Sequence, residues 1–361
     1  MTRVGLKQLA QHVGLTESTV SRALNGYDDI APATREHVRI AANTLGYRPN
    51  PTARRLATGR AETVAYMMPS GQSALSTPFV PMLLQGLGDA LSVRRWDLLV
   101  VQSPVGVEGE AELDTLRKLI ASGRVSGVVL SRPLQDDARI EFLKASGFPF
   151  IVHGRARDAA GYAWFDIDSR AAFRQAVDHL AGLGHRRIGM VSASTDLNFV
   201  QERLDGYLDG LTRNHLAVDS ALTAFADLSD AGGRTAAAQL LAQPDPPTAL
   251  LCTTDLQAIG ALAAIRALGM RPGEDVSVIG YDGFWMGQHT DPPLTTLAQP
   301  QTDSGLKLGE MLLAIIDGGE PADFQILRQA ELVRRSSDGP VKGPTKSSNA
   351  QLTEETSCTA S

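Results

Sequence analysis

The first 60 residues of this 361-residue chain concentrate side chains that can contact phosphates and base edges. Nine cationic and four anionic side chains give this segment +5, although the whole chain has a formal net charge of −6. A small basic segment on a large acidic remainder is typical of phosphate binding confined to one end of a protein. Within it, Arg22 can donate two hydrogen bonds to guanine, and Glu17 and Ser18 can contact other base edges.

Short helices joined by a tight turn are predicted to present these side chains. Apolar residues recur at helical spacing in the first helix: Leu6, Leu9, Ala10 and Val13. Gly14 can end that helix, and Thr16 can cap a second one over residues 17–24. The second helix would expose polar residues on its outer faces, namely Glu17, Ser18, Ser21 and Arg22. A third amphipathic helix, residues 32–45, should pack across both, which predicts a helix-turn-helix.

The larger part of the chain, residues 62–335, alternates short apolar runs with helical segments. Such runs include residues 64–68, 127–130, 188–191, 249–252 and 276–280. This alternation favours a parallel α/β architecture, and its length suffices for two doubly wound lobes. Open parallel sheets bind ligands at the carboxyl ends of their strands, so the cleft between the lobes is the expected site.

Several polar residues lie at the ends of these predicted strands. Asp255 and His153 each follow an apolar run, and Asp166 and Asp168 share one face of an extended segment. Carboxylates and imidazoles can pair with the polar groups of a small molecule. These residues are therefore candidates for contacting a ligand in the cleft.

Other classes of protein are not favoured by the sequence. No run reaches the ~18 uncharged apolar residues of a membrane span, and the N-terminus lacks the apolar core of an export signal, so a cytoplasmic protein without membrane contact is expected. The two cysteines, Cys252 and Cys358, form neither a disulfide framework nor a metal cage. Asp166 and Asp168 could form a catalytic carboxylate pair, but no phosphate-binding glycine motif, nucleophile elbow or paired histidines accompany them. We expect no enzymatic activity, no cofactor and no metal.

Several motifs near the N-terminus resemble the DNA-binding head of the lactose-repressor/galactose-repressor (LacI/GalR) family. They are the run from Thr19 to Gly26, then Thr34–Glu36 and Leu45–Asn50. The segment Ala53–Ala57 is similar to the family's hinge helix, in which a leucine from each protomer enters the minor groove at the centre of a palindromic site. Leu56 occupies that position. The hinge helix is too short to be stable alone, so it should form only against its mate and DNA.

The outward-facing positions and this resemblance together assign a set of residues to DNA contact. They are Leu6, Thr16, Glu17, Ser18, Thr19, Ser21, Arg22, Asn25, Tyr47, Asn50, Ala53, Arg54 and Leu56. Glu17 departs from the neutral or cationic residues often found at its position in the family.

The resemblance continues through the body. The segments 183–188, 202–207, 275–283 and 292–297 look like the effector-binding core of the family, whose fold is similar to that of periplasmic sugar-binding proteins. It implies that the chain crosses between lobes near Tyr162, Pro292 and Phe324. Arg203 and Asp282 fall on the family's ligand-contacting arginine and aspartate. The effector-binding candidates are then Phe79, His153, Asp168, Arg203, Asp255 and Asp282.

The expected architecture is an N-terminal all-α helix-turn-helix head with a hinge helix, joined to a periplasmic-binding-protein-like α/β body of two doubly wound parallel-sheet lobes. The expected bounds are 1–50 for the head, 51–61 for the hinge and linker, and 62–335 for the body. Residues 336–361 lack apolar periodicity and are expected to be disordered.

The resemblance implies a sequence-specific regulator, namely a repressor of carbohydrate uptake or catabolism genes that a sugar releases from its operator. The partners would be a pseudo-palindromic DNA operator, a second copy of the chain and the sugar. Residues 153–155 and 164–166 look like those of regulators of α-glucoside uptake, so an α-glucoside is a possible effector. A regulator whose ligand strengthens DNA binding, as in purine-responsive relatives, and a sugar-binding protein that does not bind DNA are the alternatives.

Overall fold

The computed structural model describes residues 4–47, 61–68, 78–102 and 110–341. The chain divides into two compact units, of which the first contains the N-terminal head and the second the body. The expected hinge helix, with Asn50, Ala53, Arg54 and Leu56, lies outside the described residues.

Three helices form the head: α1 Leu6–Val13, α2 Glu17–Leu24 and α3 Pro32–Thr44. Gly14 ends α1 in the left-handed conformation, with φ of 66°. The hydroxyl of Thr16 accepts a hydrogen bond from the backbone N–H of Thr19 and so caps α2. Each helix contributes one fully buried side chain to a common apolar cluster, namely Leu9, Val20 and Val38.

The first lobe of the body is built on a six-stranded sheet of order β11-β5-β4-β3-β1-β2, in which all paired strands are parallel. Its strands are β1 Thr63–Met68, β2 Asp97–Gln102, β3 Gly127–Ser131, β4 Phe150–His153, β5 Ala163–Ile167 and β11 Gln325–Arg328. The helices of this lobe are α4 Phe79–Ser92, α5 Glu110–Ala121, α6 Ala138–Ser146 and α11 Gln301–Ile316. Val129 and Ile151 in central strands are fully buried.

The second lobe has a six-stranded sheet of order β12-β10-β9-β8-β6-β7, parallel except for the pairing of β12 with β10. Its strands are β6 Ile188–Ser192, β7 Thr223–Phe225, β8 Ala249–Cys252, β9 Ser277–Asp282, β10 Thr295–Ala298 and β12 Glu331–Val333. Its helices are α7 Ser169–Gly182, α8 Asn198–Arg213, α9 Asp230–Leu241 and α10 Asp255–Ala267. No helix in the described ranges is long and apolar enough to cross a membrane.

The chain passes between the two sheets three times. The passages follow β5 at Asp168, β10 at residues 299–300 and β11 at residues 329–330. Each lies a few residues beyond the position expected from the resemblance, near Tyr162, Pro292 and Phe324. The reason is that β5, β10 and β11 are themselves strands of the sheets, so the chain leaves each lobe only at the strand's carboxyl end.

The expectation that disorder begins at Ser336 is wrong, because residues 336–341 pack against the second lobe. Ser337 is fully buried: its hydroxyl accepts from the N–H of Thr295 at 2.8 Å and donates to the carbonyl of Val278 at 2.6 Å. The Asp338 carboxylate lies 2.6 Å from Nε2 of His179. Hydrogen bonds rather than apolar periodicity hold this segment, so its composition gave no sign of order. Residues 342–361 lie outside the described part of the chain.

We expect Asp338→Ala to lower the free energy of unfolding of the body by about 1–3 kcal/mol, because it leaves His179 and the Thr295 hydroxyl without their shared acceptor. Asp114→Ala is the matched control, since Asp114 forms an exposed ion pair with Lys118 that should contribute less than ~1 kcal/mol. Urea denaturation of the full chain, followed by circular dichroism, measures both. Equal losses would show that residues 336–341 do not stabilise the second lobe.

Candidate functional site

A cleft lies where the carboxyl ends of the two sheets meet, with about 970 Å³ of unfilled space that is partly open to solvent. The first lobe contributes residues that follow β1, β3, β4 and β5, and the second contributes residues that follow β6, β8, β9 and β10. The polar and aromatic residues that line it include Phe79, Arg132, His153, Arg155, Asp166, Asn198, Phe199, Glu202, Arg203, Tyr281, Asp282 and Gln299.

Arg203 is a buried cation in the wall of the cleft, with a relative exposure of 4%. Its Nη1 donates to the carbonyl of Thr253 at 2.6 Å. Its guanidinium carbon lies 3.6 Å from the ring centroid of Tyr281 and 4.5 Å from that of Phe199. Both distances are within the range of favourable cation–π contacts. Arg203 therefore has a fixed orientation before any ligand arrives.

The close approach of α8 to α7 places Arg203 in this position. Gly206, one turn further along α8, has no Cβ, and a Cβ there would lie 2.2 Å from the carbonyl oxygen of Arg170 on α7. The two helices can therefore pack with their backbones in contact, and any larger residue at position 206 would push α8 away.

Asp282 ends β9 in a conformation that side chains rarely adopt, with φ of 128°. Its carboxylate accepts a hydrogen bond from Nε2 of Gln299 at 2.8 Å, and its carbonyl accepts one from Nε2 of Gln301 at 2.6 Å. Burial raises the pKa of Asp282, whereas nearby Arg203 favours the charged form. Strained backbone of this kind is concentrated at ligand-binding sites.

Arg155 joins the two lobes across the cleft. Its Nε donates to Asp166 on β5 of the first lobe at 2.9 Å, and its Nη2 lies 3.6 Å from a carboxylate oxygen of Glu202 on α8 of the second lobe. Burial raises the pKa of Asp166 to about 6, and the charge of Arg155 opposes that shift.

Backbone hydrogen bonds also link the lobes beside this ion pair. The N–H of Asn198 donates to the carbonyl of Pro133 at 3.0 Å, and the N–H of Gln135 donates to that of Asp196 at 2.8 Å. The loop after β3 in the first lobe thus contacts the loop after β6 in the second.

His153 contributes a buried polar atom to the cleft. Its Nε2 is buried and has no hydrogen-bond partner among the described residues. Burial lowers the pKa of His153 to about 4, so the imidazole is neutral at pH 7. The ring lies 5.3 Å from that of Phe79 between centroids. A hydroxyl of a ligand could therefore pair with Nε2 of His153. The apolar face of the same ligand could then pack against the ring of Phe79.

Comparisons with known proteins agree with this architecture. Residues 5–50 match the model of the bacterial regulatory proteins of the lacI family, and residues 177–337 match that of the periplasmic binding protein-like domain. The HTH-type transcriptional regulator AglR of Rhizobium meliloti is 36% identical over 93% of this chain and 95% of its own length. The HTH-type transcriptional regulator CelR of Thermobifida fusca is 33% identical over 93% and 98%.

The chain belongs to the LacI family. It is a DNA-binding transcriptional regulator and not an enzyme, and its helix-turn-helix head and two-lobed body confirm the expected fold class. A solved CelR–cellobiose complex has a TM-score of 0.71 at 32% identity and covers 93% of this chain and 100% of that one. The lac repressor dimer bound to operator and the anti-inducer ONPF has a TM-score of 0.81 at 27% identity, covering 94% and 100%.

Four of the six effector-binding candidates line the cleft of this LacI-family chain, namely Phe79, His153, Arg203 and Asp282. Asp168 and Asp255 do not. Asp168 caps α7 by accepting from the N–H of Ala171 at 2.9 Å, because the strand alternation that placed it beside Asp166 ends at Ile167.

Asp255 is fully buried behind the cleft wall. Its carboxylate accepts from the N–H of Phe284 at 2.8 Å and from the hydroxyl of Thr296 at 2.6 Å. Because Asp255 follows β8, it was expected to line the cleft. It is instead the first residue of α10, and its side chain turns away from the cleft. Its two hydrogen bonds instead hold β10 and the segment after Asp282.

Sequence reasoning missed several lining residues, namely Arg132, Arg155, Asn198, Glu202 and Gln299. Asp166, a candidate from the strand pattern that is not in the set of six effector-binding residues, does line the cleft. One local signal was present. Gly154 directly follows β4 and has φ of 94°, so the chain turns there and brings Arg155 to the cleft. Glu202 directly precedes Arg203 on α8. Its pairing with Arg155 depends on the position of the first lobe, which no local pattern indicates.

In the head, the residues expected to read bases lie on the surface. Glu17, Ser18 and Arg22 on α2 are exposed. Leu6 and Tyr47 instead pack against the edge of the head core as partly buried residues. Contact of the head with DNA through the assigned residues stays a prediction.

We expect Asp255→Ala to lower the free energy of unfolding of the body by about 2–4 kcal/mol, because it leaves the buried N–H of Phe284 without an acceptor. Asp168→Ala removes a helix cap and should cost about 0.5–2 kcal/mol. Urea denaturation of the full chain compares the two. A loss at Asp255 no greater than that at Asp168 would contradict its supporting role.

Proposed function

We propose that this LacI-family regulator is a repressor that binds a neutral sugar in the cleft and is thereby released from a DNA operator. The observation that carries the proposal is the combination of Arg203 and Asp282 with aromatic faces in one cleft wall. An arginine and a carboxylate can pair with vicinal hydroxyls, and Phe79 can cover the C–H face of a sugar ring.

The balance of charge in the cleft supports a neutral ligand. Its lining has three cationic side chains, Arg132, Arg155 and Arg203, and three anionic ones, Asp166, Glu202 and Asp282. Arg155 is already paired with both Asp166 and Glu202. The lining therefore has no excess of cations to neutralise the charge of a phosphorylated sugar, which disfavours such a ligand.

A disaccharide is the ligand that we propose for the cleft. The solved relative that holds cellobiose supports a ligand of two sugar rings. Among disaccharides, α-glucosides are our first candidates, because residues 153–155 and 164–166 look like those of regulators of α-glucoside uptake. Four of these residues, His153, Gly154, Arg155 and Asp166, line the cleft, which is where a residue that distinguishes sugars would have to be.

The DNA-bound form is proposed to be a homodimer on a pseudo-palindromic operator that controls carbohydrate uptake or catabolism genes, acting in the cytoplasm. A single head of this size can read one half-site, so tight binding needs two heads related by a two-fold axis. The lac repressor dimer bound to its operator, at 27% identity over 94% of this chain, supports this assembly.

We expect wild-type protein to lose operator affinity by about 5–150-fold as maltose or cellobiose is added, the range of ordinary allosteric coupling. Asp282→Ala should bind the operator as tightly as wild type without sugar and fail to respond to it. Asp168→Asn, which changes a carboxylate outside the cleft, should respond as wild type does. Fluorescence anisotropy with a labelled operator duplex measures all three.

Two outcomes of this titration would contradict the proposal. If Asp282→Ala still responds normally, Asp282 does not contact the ligand and the assignment of the cleft is wrong. If sugar strengthens operator binding by the wild type, the protein is a corepressed regulator.

A further inference from the structure

The loop that follows the second helix of the head folds back against the side chain of Arg22. The N–H of Tyr27 donates to the carbonyl of Arg22 at 3.1 Å, and the N–H of Ile30 donates to that of Tyr27 at 3.2 Å. These turns bring two side chains of the loop to the guanidinium. Asp29 forms an ion pair with Nη2 of Arg22, and the ring centroid of Tyr27 lies 5.5 Å from its Cζ.

These contacts have little to do with the stability of the head. The side chains of Arg22 and Asp29 are 47% and 49% exposed, and ion pairs with this exposure contribute little to folding. The head is held instead by its buried cluster of Leu9, Val20 and Val38. The ion pair with Asp29 and the contact with the Tyr27 ring instead restrict the conformations of the long, flexible Arg22 side chain.

We propose that Asp29 and Tyr27 are positioning residues that hold Arg22 ready to bind one guanine, and so set the selectivity of the head at that base pair. This inference rests on the proposed role of the head and of Arg22 in reading the operator. An arginine already restricted in the free protein loses less freedom when it binds, so its bidentate contact discriminates more strongly.

The geometry of the guanidinium is compatible with both contacts at once. Arginine has five N–H groups in a planar fork, and Asp29 takes up Nη2, so other N–H groups stay available for O6 and N7 of guanine. The carboxylate also repels phosphates, which weakens binding to every sequence. Asp29 thus lowers the affinity of the head for DNA of any sequence and raises its selectivity at the base pair that Arg22 contacts.

The experiment uses the full chain and the duplex that wild-type protein enriches from a random DNA library, together with duplexes in which each half-site base pair is changed in turn. The test variant is Asp29→Asn. The matched control is Glu36→Gln, which removes the same charge from an exposed pair with Arg39 elsewhere in the head. Arg22→Ala identifies the base pair that Arg22 reads, and thermal unfolding checks that each variant is folded.

We expect Arg22→Ala to lose discrimination at one base pair and Asp29→Asn to lose about five- to tenfold of the preference at that same pair. Glu36→Gln should keep the wild-type preference. Loss of a negative charge should also raise the affinity for DNA in general, by a similar factor in Asp29→Asn and Glu36→Gln. This general effect should be the same on every duplex, so it does not change the preference for one base pair over another. Tyr27→Phe keeps the ring and should retain the preference, whereas Tyr27→Leu should reduce it.

Four results would overturn the inference. If Asp29→Asn discriminates as Glu36→Gln does, Asp29 does not position Arg22, although Arg22 still reads a base. If Asp29→Asn discriminates better than wild type, the ion pair competes with guanine. If Arg22→Ala weakens binding equally on every duplex, or if no duplex is enriched, the proposed reading of a base by Arg22 fails first and the inference with it.

Discussion

The burial of the Arg203 guanidinium is the constraint on which the cleft depends. A cation with 4% exposure requires acceptors and polarisable neighbours in place of water. Three elements supply them: the carbonyl of Thr253 after β8, the ring of Tyr281 in β9 and the ring of Phe199 in α8. Meeting the needs of one side chain therefore fixes three parts of the second lobe relative to one another.

The same constraint extends to the carboxylates around Arg203. Asp282 follows Tyr281 directly, and its unusual backbone conformation is held by hydrogen bonds from Gln299 and Gln301. Behind it, Asp255 accepts from Phe284 and Thr296 and so holds the adjoining segment. The conformation in which Asp282 faces the cleft is thus supported both by Gln299 in the cleft lining and by hydrogen bonds of residues behind the lining.

The two lobes meet through contacts that can change at modest cost. The ion pair from Arg155 to Glu202 is partly exposed, and ion pairs of this kind contribute little energy. A ligand that touches His153 in the first lobe and Arg203 in the second would add contacts only when both lobes are correctly placed. Its binding energy could then shift the relative arrangement of the lobes, as the proposed release from DNA requires.

Much of this architecture could be predicted from the sequence, because local patterns determine it. Helical spacing of apolar residues predicted α1, α2 and α3, and apolar runs predicted the central strands of both sheets. Motif resemblance placed Arg203 and Asp282 in the cleft, which composition and periodicity could not have done. The head also followed from short-range signals, such as the cap at Thr16.

The errors concern features that depend on residues distant in sequence. Asp255 follows a strand but turns towards Thr296, which is far along the chain. The role of Arg155 depends on Glu202, a residue of the opposite lobe. The order of residues 336–341 depends on Thr295 and His179, which no pattern within the segment indicates.

We expect the balanced charge of the cleft to select a neutral sugar. Isothermal titration calorimetry of the full chain with maltose, cellobiose and their 6-phosphates tests it most directly. We expect that one of the neutral disaccharides binds and that its phosphate binds at least about tenfold more weakly, because the three cations of the cleft are matched by three carboxylates and leave no excess positive charge to neutralise a phosphate. A sugar phosphate that binds more tightly than the matching neutral sugar would contradict it.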